Sequence, residues 1–163
     1  MILKRKYLRR GETSPITAEW TFHFRDVVTG HEWTEGPFKN KITQGGLNNQ
    51  AALFVGEVPS STAAMHMVLG SNGTAAQLSD VIADMGETAR KALASKTRSG
   101  SLARLRAYLT QNEGNGDHEC VGLVARATDQ AGSGELLNRL VQPISKTSRT
   151  VLTIEIKWTY EGV

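Results

Sequence analysis

Residues 69–80 read LGSNGTAAQLSD. Gly70, Asn72 and Gly73 follow an apolar run in a small, polar loop, which are the residue types that cradle a phosphate. A Walker-type cradle also needs G-x-x-x-x-G-K-[ST], because its Lys reaches the terminal phosphates and its hydroxyl holds magnesium. This loop has no Lys and lacks that spacing. A dinucleotide fingerprint needs three glycines opening a helix. Gly70 and Gly73 are two, and Thr74 to Gln77 separate them from any helix. The loop is therefore expected to be a tight corner or a subunit contact. In that reading Gly70 and Gly73 supply backbone freedom, and Asp80 supplies a cap.

The other reactive side chains are scattered. His23, His31, His66 and His118 show no i, i+4 pair and no Cys or carboxylate at ligand spacing on one element. His66 stands in an apolar stretch and reads as a core or interface residue. His118 stands beside Asp117 and Glu119 in what reads as a solvated turn. No G-x-S-x-G elbow is present. Asp80, Asp84 and Glu87 are the residue types of a paired-carboxylate site, but they read better as caps of one short helix. Cys120 opens an apolar stretch, where a thiol behaves as a small buried hydrophobe. The sequence thus points to no catalytic residue, no metal site and no cofactor. A hydrolase built on dispersed residues such as His66 and Asp80 is the weakest reading.

Elements must position whatever function there is, and the composition is that of a globular domain. The chain has 163 residues, 39% hydrophobic and 21% charged, with one Cys and a formal charge of +3. That length suits a single domain over 1–163. One Cys gives no intrachain disulfide framework and fits a reducing compartment. No apolar run approaches the roughly 20 residues of a membrane span. Residues 1–14 read as a basic N-terminal arm carrying Lys4, Arg5, Lys6, Arg9 and Arg10. Such a cluster can contact nucleic acid, an acidic protein surface or a neighbouring subunit. No aromatic stacking platform or recognition-helix pattern accompanies it, which argues against nucleic acid.

Residues 18–27 alternate, with Trp20, Phe22 and Phe24 on one face, and the Thr29-Gly30 signal predicts a hairpin over 18–35. In 39–56 the period changes to that of a short helix, with Thr43 as N-cap and Gly56 as terminator. Gly45 and Gly46 in its first turn point to close packing rather than helix propensity. Residues 63–70 read as a buried strand, and 79–85 as one helical turn capped by Ser79 or Asp80 and ended by Gly86. Residues 89–109 read as two strands paired across Ser99-Gly100, with a helix as the alternative for the first. Residues 113–119 read as a loop, 120–127 as a central strand, and 136–145 as a strand that Pro143 ends or bends. Residues 150–160 alternate most cleanly. The pattern predicts a mainly β fold, a jelly-roll-like β-sandwich of about seven or eight strands with one or two short helices. Trp20, Phe22, Trp33, Trp158 and Tyr160 are candidates for a sugar platform, but core is the favoured reading.

The order of motifs carries a resemblance over residues 38–160. Asn40, Ile42, Thr43, Gly46 and Leu47 form an N-x-[IV]-T-x-x-G-L segment leading into a helix. Leu69, Gly70, Gly73, Ala75 or Ala76, and Asp80 follow, then Gly86, Glu87, Arg90 and Lys91. Glu119, Gly122, Leu123, Leu137, Arg139, Pro143, Ile144, Lys146 and Thr147 complete the order. This resembles a family of small tail- and neck-associated structural proteins of tailed bacteriophages, carried in virion gene clusters as tail-fibre or collar proteins. The sequence departs from the family where Cys120-Val121 lengthens the Glu-Gly spacing, and where residues 70–74 read GSNGT rather than GTGT. The resemblance implies a non-enzymatic virion component of the tail, neck, collar or baseplate, made in the host cytoplasm. It implies a symmetric homo-oligomer that contacts other virion proteins, including portal-proximal ones. The alternatives are a carbohydrate- or receptor-binding module of a tail fibre and a capsid decoration protein.

Overall fold

A computed structural model describes residues 16–57 and 65–160. Among the described residues, ten strands form two antiparallel five-stranded sheets. The first sheet has the order β2-β1-β10-β7-β6, with β1 Ile16–Asp26, β2 Glu32–Lys39, β6 Ser95–Ser99, β7 Leu102–Leu109 and β10 Thr150–Tyr160. The second has the order β3-β9-β8-β4-β5, with β3 Lys41–Ile42, β4 His66–Gly70, β5 Glu87–Ala92, β8 Gly116–Ala125 and β9 Glu135–Lys146. One α-helix, α1 Gln44–Phe54, and one 3-10 helix, Ile82–Met85, complete the fold. The expectation of a β-sandwich with short helices holds.

Register in the first sheet follows from its alternation. Rows of inward side chains cross three strands: Phe22 beside Ile154 beside Ala107, and Phe24 beside Leu152 beside Leu109. Ala18 and Ala103 flank Trp158, so small residues make room for the large ring. All of these except Ala103 are buried in the core between the sheets. A slip of one residue would turn the whole set to the outside, which is why this register is strongly specified.

The second sheet is covered on both faces. Its inner face joins the main core, while Val68, Met85, Cys120, Val124 and Leu136 form a second cluster on its outer side. This is why HMVLG and CVGLV lack alternation: every residue of β4 is buried. Among the described residues the first sheet has no such cover, and its outward positions are mostly polar: Thr34, His23, Thr153 and Tyr108 form one row across four strands.

The strand count exceeds the expected seven or eight for a specific reason. Residues 87–99 are two strands in different sheets, β5 beside β4 and β6 beside β7. The Ser99-Gly100 turn is where it was expected, with Gly100 at φ +57°. Pro143 does not end β9; the pairing register with β8 shifts there and the strand continues to Lys146. The loop over 113–119 is shorter than expected, because β8 begins at Gly116.

Helix α1 begins as expected. Thr43 accepts from Gly46 N at 3.2 Å and donates to Leu136 O at 2.5 Å, tying the helix start to β9. A Cβ on Gly46 would stand 2.1 Å from Leu137 O, and one on Gly45 would stand 2.7 Å from Leu136 O. Both glycines are therefore there for close approach.

Candidate functional site

The loop from Ser71 to Gly86 is built around Arg139, which sequence reasoning noticed only as part of a motif. Arg139 is buried on β9 and donates to Asp80 Oδ2 at 2.7 Å, to Asn72 O at 2.6 Å and to Thr74 O at 3.1 Å. Asn72 is consumed internally: its amide donates to Asp84 O at 2.7 Å, and its oxygen accepts from Thr74 N and Thr74 Oγ1. The loop therefore turns backbone carbonyls inward to a fixed cation. The phosphate reading fails on geometry as it did on spacing, and the tight-corner reading gains a mechanism. A lone Arg inside LLNRLV was the available signal, since a charged residue in an otherwise buried strand demands a partner.

Two details of that loop are corrected. Gly70 is present because a Cβ there would stand 2.1 Å from Met85 O and 2.9 Å from Cys120 Sγ. Neither Gly70 nor Gly73 has positive φ, so conformational freedom is not the reason for either. Neither Asp80 nor Ser79 caps the 3-10 helix. Asp84 does so, accepting from Val81 N at 2.8 Å, while Asp80 accepts from Gln77 N and pairs with Arg139. Gly86 ends that helix at φ +58°, as expected.

The titratable candidates do not converge. His66 is buried and its Nε2 lies 3.0 Å from Asp129 Oδ1, so it has no link to Asp80. His118 is not in a solvated turn: it is buried on β8, between Thr88 Oγ1 at 2.7 Å and Gly114 O at 2.9 Å. Glu87 engages Arg90 through two hydrogen bonds and accepts from Gly132 N, while Arg90 reaches Thr128 O and Ser133 Oγ. The Glu87-Arg90 pair thus clamps the loop that precedes β9. Cys120 is buried, and burial pushes its thiol pKa up, as expected of an inert thiol. Among the described residues no three His, Cys, Asp or Glu side chains group as metal ligands. Trp20, Phe22 and Trp158 belong to the core, so the sugar platform does not form from them.

Glu155 is a buried carboxylate on the uncovered sheet, with Arg106 Nε at 2.5 Å and Arg104 Nε and Lys157 Nζ each at 3.6 Å. Burial opposes its ionisation, but the Arg106 hydrogen bond and the three cations outweigh it, and its pKa falls below 4.5. Glu87 is lowered in the same way by Arg90 and Gly132 against its burial. Lys91 and Thr110 hold Glu113 down to about 2. A carboxyl depressed by folding stabilises the fold above its unfolded pKa and loses that contribution as pH falls through the folded value. Thermal unfolding followed by circular dichroism should therefore show Tm falling steadily as pH drops from about 4.5 toward 2. A flat Tm across that window would contradict these pairings.

One cavity of about 250 Å³ opens between α1 and one end of the sandwich. Its walls include Leu53, Met65, Leu105, Leu137, Trp158 and Tyr160. Three buried polar atoms at these walls have no hydrogen-bond partner: Trp158 Nε1, Gln50 Nε2 and Asn49 Oδ1. Leu53 of that wall is partly exposed, and Leu47 and Val55 elsewhere on α1 and its cap are exposed, Val55 by 71%. The helix spends its glycine side on β9 and leaves apolar side chains outward. The helical period of 39–56 names the element, and Gly45 and Gly46 mark the side of it that packs.

Lys4, Arg5, Lys6, Arg9 and Arg10 lie outside the described residues. Comparisons of the chain with family models, curated proteins and solved structures found no match.

Proposed function

We propose that this chain is a non-enzymatic structural subunit of a tailed-bacteriophage virion, placed in the tail, neck, collar or baseplate and assembling as a symmetric multimer. The observation that supports the assembly reading is the open, mainly apolar cavity beside α1, whose walls include Leu53, Met65, Leu105, Leu137 and Trp158. An exposed apolar concavity is the kind of surface that marks an interaction site. The virion assignment rests on the motif order described above. The reactive side chains support it, since Arg139, Asp80, Glu87 and Arg90 are all used to hold loops in place.

Charging the apolar surface tests the reading. Leu53→Lys and Val55→Lys charge exposed positions at the C-terminal end of α1, where a cation does not oppose the helix dipole, so each variant should keep the parental stability within about 1 kcal/mol. Both should shift the chain from multimer to monomer in analytical ultracentrifugation. Variants that keep the parental mass would remove this surface from the interface.

A further inference from the structure

The first sheet ends in β2 on one side and β6 on the other, and the outer edge of each pairs with no strand among the described residues. An open edge presents a row of backbone N–H and C=O groups to any strand that fits beside it. The two edges carry opposite charge. Residues 32–35 of β2 read EWTE, two carboxylates and no cation, and β6 reads SKTRS, two cations and no carboxylate. Beyond Glu35 the edge of β2 is interrupted by Pro37, which has no N–H to offer. Charge disfavours pairing β6 with its own copy. Two β6 strands laid antiparallel about Thr97 would set Lys96 opposite Arg98, and like charges directly opposite destabilise a strand pair. Pairing β2 of one copy with β6 of the next brings unlike charges together instead.

Strand direction fixes how the two edges meet. Each neighbour in the order β2-β1-β10-β7-β6 is antiparallel, and four such steps leave β2 and β6 running the same way. Copies related by rotation about an axis along the strands therefore bring β2 beside β6 as a parallel pair, with the core faces of both sheets on the same side. Glu35 stands opposite Phe22, while Lys96 and Arg98 stand opposite Leu105 and Ala103, so all three lie on that core side. Setting 32–35 along 95–98 then puts Glu35 beside Arg98, Trp33 beside Lys96 and Thr34 beside Thr97. Lys96 also lines the cavity beside α1, so the β6 edge and that cavity form one continuous surface. We propose that residues 32–35 of one copy pair with residues 95–98 of the next, joining their first sheets edge to edge. This rests on the assembly reading above and names its contact: heterologous, head to tail, and closing into a ring when the rotation permits.

Thiol cross-linking in the full-length chain tests this directly. Thr34 and Thr97 are exposed and stand at opposite edges of one five-stranded sheet, four strand spacings or roughly 19 Å apart. A bis-maleimide of shorter reach cannot join them within one chain, and the native Cys120 is buried. Thr34→Cys and Thr97→Cys chains are prepared separately and mixed, and the products are counted by intact mass. Pairing raises the local thiol concentration, so the mixed dimer should form at least about tenfold faster than either variant couples to itself. A Thr34→Cys/Thr97→Cys double variant should give a ladder of covalent multimers that ends at the native multiple. Self-coupling at an equal or higher rate would overturn the proposal, as would the absence of any cross-link. The native mass of the unsubstituted chain separates two failures. A multimer without the mixed cross-link overturns this inference alone, whereas a monomer overturns the assembly reading with it.

Discussion

Arg139→Met should lower the thermal midpoint by roughly 6–20 °C, because removing one partner of a buried ion pair costs about 3–5 kcal/mol and each kcal/mol is worth about 2–4 °C in a chain of this size. Methionine fills much of the same space without a charge. It leaves Asp80, which is 10% exposed, facing no cation, and strips the carbonyls of Asn72 and Thr74 of their donor. The damage should be concentrated in the 71–86 loop and in the cluster of Met85, Cys120 and Val68 beneath it. Hydrogen exchange should therefore rise there before it rises in β1 or β10. The double variant Asp80→Asn/Arg139→Met should recover part of the loss, since neither side is left with an unpaired charge. A single variant that loses less than about 1 kcal/mol would mean that the loop is held by something other than this pair.

Gly46→Ala should destabilise the chain by about 1–3 kcal/mol or more, the cost of forcing extra volume into a filled site. The sign is the informative part. Alanine is a better helix former than glycine by about 1 kcal/mol, so propensity alone predicts a gain. The structure predicts a loss, because the new methyl would stand 2.1 Å from Leu137 O and 2.9 Å from Ile42 Cγ2. To relieve that contact α1 must move off β9, which also pulls Thr43 from Leu136 O. Ala51→Gly, at an exposed position of the same helix, is the control that shows the propensity term alone, in the reverse direction. A stabilised Gly46→Ala variant, measured by urea unfolding, would contradict the packing described for α1.

These two residues also show what was legible beforehand. The strands of the first sheet were readable because one face is buried and the other polar, so alternation reports directly on Trp20, Phe22, Phe24 and the residues of β10. The second sheet was readable as buried strands but not as a sheet with two covers, because a continuous apolar run does not say what lies on either side. Gly45 and Gly46 were read as a packing signal, and they are one. Their partner, the backbone of β9, lies about ninety residues away and leaves no mark in the local pattern. Asp80 was taken for a helix cap for the same reason. Its nearest helix is local, whereas its actual partner, Arg139, is 59 residues on. His118 was misplaced because Gly114 to Asp117 look like a turn, while β8 already begins at Gly116. The cavity was not legible at all, since its walls come from α1, three strands of one sheet and two of the other.

The native mass of the full-length chain tests the central claim most directly. Sedimentation equilibrium or light scattering over a tenfold range of concentration should give a discrete multiple of the single-chain mass. Charged substitutions at Leu53 and Val55 should reduce that multiple to one. A single-chain mass at every concentration would contradict the reading of this protein as a self-assembling structural subunit.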